Sequence, residues 1–142
     1  MVEPNSLAPQ DRLLVEEARR IRERAYSPYS NFAVGAALRA TDGSVHVGCN
    51  VENASFGLTL CAERSAVVSA VAQGCQQFEA IAIAAPGDDP WVWPCGACRQ
   101  VLAEFGPNLT VFLVSESGKV ARSTLLELLP HQFHFPGSEA GK

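Results

Sequence analysis

The chain has 142 residues, 47% of them hydrophobic and 18% charged, with 11 Lys and Arg against 15 Asp and Glu for a formal net charge of −4. This is the composition of a folded globular chain, long enough to bury a core without covalent staples, and it argues against disorder. An acidic balance with no basic run excludes a nucleic-acid strand as the expected partner, because such binding draws on Lys and Arg along the phosphates. A small neutral ligand stays open.

The opening MVEPNSLAPQDR has no apolar core behind a basic head, and no stretch has the length of a membrane span, so a cytoplasmic chain without membrane contact is expected. One domain over 1–142 is expected too. Loose ends are expected at about 1–8 and 136–142, where MVEPNSLAP is proline-rich and PGSEAGK small and polar. Between them, Leu14, Ala18, Ile21 and Ala25 recur at helical spacing and predict an amphipathic helix over 11–25, broken by Pro28. FAVGAALRA and VHVGCNV flank Asp42-Gly43, the signature of a β-hairpin. The run 62–71 is apolar almost all round and predicts a buried helix, with Gly74 as its cap. AIAIAA predicts a buried strand, 95–105 a helix stopped by Gly106-Pro107, and TVFLVS a further strand. After the Gly118 turn, KVAR predicts a short strand. Thr124 and Glu127 have capping-box spacing and open a short helix that stops near Pro130. This order predicts an α/β protein: a three-layer α/β/α sandwich around a mixed five-stranded sheet, with a hairpin first and parallel crossovers later.

Five cysteines, an odd number, predict thiols or metal ligands rather than disulfides. Cys95 and Cys98 lie on one face of a helix start, roughly 60° apart. Alone, such a pair is open to three readings: redox-active, half of a structural zinc site, or incidental. Cys61 adds a third thiol at a second helix start, where exposed N–H groups favour a thiolate. Two helix openings can thus aim three soft ligands at one point, leaving the fourth position of a tetrahedral zinc free. Cys49 and Cys75 read as small, half-buried thiols. Glu63 is either a first-turn carboxylate facing the helix dipole or, beside an open metal position, a proton carrier. Three thiolates around zinc leave a charge of about −1, which Arg64 or Arg99 could offset by donating to sulfur. For Arg99 a plain surface position is the other reading.

CAER followed by PCGACRQV resembles the zinc-dependent cytidine deaminases of the small, homotetrameric type. YSPYSNFAVGAAL, GCNVENAS and LELLPHQF resemble further segments of that family, in order from about Ala25 to Phe133. The resemblance implies one zinc per chain on Cys61, Cys95 and Cys98, and hydrolytic deamination of cytidine and 2'-deoxycytidine in pyrimidine salvage. It implies that Glu63 protonates N3, takes a proton from water and later delivers one to ammonia. It also implies that Asn50 and Glu52 bind the sugar hydroxyls, that Phe32 packs on the pyrimidine, and that the backbone at Ala62 reads the ring edge. Phe133 would reach into a neighbouring subunit's site in a homotetramer, and Arg64 would pair with ligand thiolates. Phe56, often Tyr in the family, and the tryptophans of DDPWVWPCG depart from the pattern without touching a ligand. Those tryptophans would shape the entrance or cover a subunit interface.

Four other readings compete, the first of them a deaminase of nucleic acid, which commonly places His where Cys61 stands and needs a basic channel that this acidic chain lacks. A deaminase of a modified cytosine nucleoside, of the aminoacyl-nucleoside antibiotic type, shares the zinc motifs, but NVEN favours the ordinary nucleoside. A non-catalytic zinc module needs a fourth ligand and leaves Glu63 unexplained. A thiol redox protein would use Cys95 and Cys98 and leave Cys61 unexplained.

Overall fold

The computed structural model describes residues 1–89 and 91–137. Helix α1 (Pro9–Arg22) starts with Pro9, whose missing N–H and fixed φ suit a first helical position, and carries Arg19, Arg20 and Arg22 at its negative end. It stops three residues short of the expected Ala25. Tyr26 is needed elsewhere: its N–H donates to the Asn50 carbonyl, and its own carbonyl accepts from the Glu52 N–H.

The sheet runs β2–β1–β3–β4–β5, with β1 Gly35–Ala40, β2 Val45–Cys49, β3 Phe78–Ala84, β4 Thr110–Val114 and β5 Val120–Thr124. The β3–β4 pair is parallel and every other neighbouring pair antiparallel, so the sheet is mixed; α3 (Gly96–Phe105) crosses between the parallel neighbours β3 and β4, and the helix before β3 crosses from β2 to β3, which run parallel on either side of β1. Alternation along the strands builds two cores. Ala37, Ala80, Ala82, Phe112 and Val114 face α1, while Leu38, Ile81, Ile83, Val111 and Leu113 face the opposite layer. That second layer contains α2 (Ala62–Ala72), α3 and the short α4 (Leu125–Leu128). Strands covered on both faces read as continuous apolar runs, as FAVGAAL and AIAIAA do. Half of the expected capping box at α4 forms: the Glu127 N–H donates to Thr124 Oγ1 at 3.2 Å, while the Glu127 carboxylate accepts from the Thr124 hydroxyl at 3.2 Å.

The first expected loose end is not loose. Val2 N–H donates to the Val120 carbonyl at 2.6 Å, and Leu7 is buried beneath α1. Two apolar side chains in a proline-rich segment are enough to dock it. Of the second end, residues 138–142 lie outside the described residues.

Gly48 lets α2 lie directly on β2. A Cβ there would sit 2.8 Å from the Ala62 carbonyl oxygen and from the Ser65 carbonyl carbon, and closer still to the Ala66 nitrogen. These are backbone atoms that cannot rotate away. Gly48→Ala is therefore expected to lift α2 and to cost about 1–3 kcal/mol, read by chemical denaturation. It should also lower kcat, since α2 carries Cys61 and Glu63.

Candidate active site

The site sits where α2 and α3 begin, beside the C-terminal end of β3. Cys61 and Cys95 are the N-cap residues of the two helices, each with extended backbone (φ −69°, ψ 153° and φ −68°, ψ 166°). Their thiols therefore stand at the exposed N–H groups and positive dipole ends. Cys98 follows in the first turn of α3 and is fully buried. The three Sγ atoms lie within 4.8 Å of one another, the one such group of potential metal ligands among the described residues. Tetrahedral zinc with bonds of about 2.3 Å places sulfurs about 3.8 Å apart, so the donors fit the ion in number, softness and spacing. Cys49 and Cys75 are half-buried and stand apart from the group, as expected.

The electrostatics show how closely the thiols are packed. Cys61 is pushed down to about 5 by the hydrogen bond from Cys98 first and then by Arg64, against its own burial. Cys98 is pushed up, by its hydrogen bond to Cys61, by burial and by the negative charges of Glu63 and Cys61. A divalent cation would relieve the crowding of charge when all three ionise. Arg64 Nη2 donates to Cys61 Sγ at 3.4 Å, which is the sulfur contact expected of it. Arg64 Nε is buried with no partner among the described residues. Arg99 does neither of the things expected. Its guanidinium donates to the Pro94 and Leu128 carbonyls, both at 2.7 Å, so it is neither a sulfur donor nor a free surface residue.

Glu63 is 6% exposed. Burial, followed by the charge on Cys61, raises its carboxyl above the usual range. It opens onto a cavity of about 230 Å³ lined also by Cys61, Ala62 and Cys95. Phe32, Val34 and Asn50 form one wall, Val92, Trp93 and Pro94 another, and Ile83 and Thr59 complete it. Phe32 and Ala62 thus line the same cavity as the carboxyl and two of the thiols. Asn50 is there too, but its amide braces the wall: Oδ1 accepts from the Val34 N–H at 2.9 Å and Nδ2 donates to the Phe32 carbonyl at 2.7 Å. One amide hydrogen and one lone pair are left for a ligand. Glu52 does not line the cavity; it is tied to the Tyr29 and Ser30 N–H groups and the Ser30 hydroxyl. Phe133 is also outside the cavity, 66% exposed, with its carbonyl accepting from Gln100. Trp93 sits at the entrance while Trp91 packs against the core, so the pair divides between rim and interior.

Sequence reasoning did not reach Val34, Thr59 and Ile83. For Ile83 a signal exists: it stands one residue before the end of β3, which runs parallel to β4, and ligands gather at the carboxyl ends of such strands.

The family of the cytidine and deoxycytidylate deaminase zinc-binding region matches residues 8–114. A cytidine deaminase of Halalkalibacterium halodurans is 52% identical over 122 residues, which cover 85% of this chain and 92% of that protein. A cytidine deaminase of Sporosarcina psychrophila is 47% identical, covering 84% and 88%. The crystal structure of cytidine deaminase from Burkholderia pseudomallei superposes with a TM-score of 0.81 at 51% identity, covering 85% of this chain and 97% of that one. With three converging thiols, a buried carboxyl and these relatives, the chain belongs to the zinc-binding cytidine and deoxycytidylate deaminase family.

Proposed function

We propose that the chain deaminates cytidine and 2'-deoxycytidine to uridine and 2'-deoxyuridine with release of ammonia, in pyrimidine salvage, and that its cofactor is zinc held by Cys61, Cys95 and Cys98. The observation that carries this is a buried carboxyl, Glu63, opening onto the same cavity as two of three clustered thiols. Bound there, zinc would supply a water acidic enough to attack C4 of cytosine. Glu63 takes a proton from that water and protonates the ring at N3. It then takes the second proton of that oxygen and delivers it to the C4 amino group, which leaves as ammonia, a task suited to a carboxyl whose burial raises its proton affinity. Phe32 packs on the flat ring, and the Ala62 backbone, in the first turn of α2, reads its edge. Asn50 offers its spare amide hydrogen to a sugar hydroxyl. Glu52, held rigid by Tyr29 and Ser30, accepts from another hydroxyl at the rim. Arg64 offsets the thiolate charge at Cys61.

The whole of 1–142 acts as one catalytic unit in the cytoplasm. No helix among the described residues is long and apolar enough to cross a membrane. The working form is a homotetramer in which Phe133 completes a neighbour's site. Tyr26, Tyr29, Phe56, Leu58, Phe133 and Phe135 are exposed, with the Tyr29 and Phe56 rings in edge contact, and a tetramer would give them a surface to cover. Phe133→Ala is expected to raise KM for cytidine while light scattering still reports a tetramer. A wild-type monomer with full activity would remove the assignment.

The direct test follows the ultraviolet band of cytidine, ammonia release and zinc content on one sample. A falling band at about one zinc per chain is expected. Bound zinc without turnover of either nucleoside would move the substrate to a modified cytosine nucleoside.

A further inference from the structure

Arg99 stands in the first turn of α3, next to Cys98. Its backbone N–H donates to the Cys95 carbonyl at 2.9 Å, and its Nε donates to the Pro94 carbonyl at 2.7 Å. One residue therefore grips the carbonyls on both sides of Cys95. Those two carbonyls fix the two peptide planes that meet at the Cys95 Cα. The planes set where the Cβ points, leaving a single torsion to place the sulfur. The third arm, Nη1, donates to the carbonyl of Leu128 at 2.7 Å. Leu128 is the last residue of α4, where helix carbonyls lack intrahelical partners and a cation is favoured.

Cys61 is held differently. Its flanking carbonyls, Leu60 and Cys61, accept from the backbone N–H groups of Val51 and Ser65, both at 2.9 Å. A β-bridge secures the segment ahead of Cys61. Among the described residues of the loop ahead of Cys95 there is no strand or bridge. There the Arg99 side chain takes the place that the Val51 backbone has at Cys61.

We propose that Arg99 is a positioning residue for the zinc ligand Cys95, bracing the loop in front of that thiol against the end of α4. The proposal rests on the reading of Cys95 as a ligand. The fork matters more than the charge. Nε and Nη1 of a planar guanidinium reach two carbonyls at once, whereas a lysine ammonium is a compact point on a flexible stem.

The test uses zinc-loaded wild type, Arg99→Lys, Arg99→Gln and Cys95→Ser, each mixed with a chromophoric chelator. The rate of zinc transfer is read alongside the thiolate-to-metal absorption of the cobalt-substituted proteins and a thermal melt. Arg99→Lys and Arg99→Gln are expected to lose zinc about 10- to 100-fold faster than wild type and to shift the cobalt band, with Arg99→Lys melting near wild type. Wild-type zinc transfer and an unchanged cobalt band in folded Arg99→Lys would overturn the proposal, and this variant decides alone if Arg99→Gln does not fold. Cys95→Ser separates the two ways to fail. If it loses zinc while the Arg99 variants keep it, only the positioning role falls. If it too keeps zinc, the ligand reading falls and takes the proposal with it.

Discussion

Glu63→Gln is expected to keep its zinc and its melting temperature and to lose about 10²–10⁴-fold in kcat, the usual worth of a positioned acid–base group. Gln has nearly the shape of Glu, so the packing of Ala62, Ala66 and Val67 around the start of α2 is undisturbed. What it lacks is a proton-accepting oxygen. Because the carboxyl is buried, no bulk water reaches the same place to substitute for it. The binding of a product nucleoside should change far less than kcat, since the Phe32 wall and Asn50 remain. Normal turnover by this variant would mean that another group moves the protons.

Cys98→Ser is expected to release zinc and with it all measurable activity. Cys98 is fully buried between Cys61 and the α2–α3 layer, so a replacement ligand from solvent cannot take its place without opening the helices. A serine hydroxyl is neutral at working pH and a poor partner for zinc beside two thiols. The chain itself should stay folded, because two apolar clusters on opposite faces of the sheet hold it independently of the metal position. Circular dichroism and zinc content on one sample check both halves of this expectation. A folded variant that retains about one zinc per chain would overturn the ligand assignment.

The parts of the site that could be read from the chain are those whose spacing is itself chemistry. Cys95 and Cys98 share a helix face at three-residue spacing, and Cys61 and Glu63 open the helix before. The structure places all four together. Arg99 could not be read in the same way. Its acceptors are main-chain carbonyls 5 and 29 residues away, and any residue type supplies a carbonyl. The start of β1 was misjudged for a related reason. FAVGAAL is apolar from Phe32, but the strand begins at Gly35. The side-chain amide of Asn50 takes up the Phe32 carbonyl and the Val34 N–H in place of a neighbouring strand. Glu52, two residues beyond Asn50, could not be placed from spacing either: the turn at Tyr29 and Ser30 captures its carboxylate outside the cavity.

The bond from Val2 to Val120 bears on how the protein should be handled. Strand β5 is the last of the sheet, and an open strand edge invites pairing with another molecule. Val2 covers the start of that border, and Leu7 anchors the segment beneath α1. An affinity tag joined directly ahead of Val2, or a trimmed start that removes Leu7, would work against this arrangement. Such a preparation is expected to aggregate on concentration while its fresh, dilute activity stays intact.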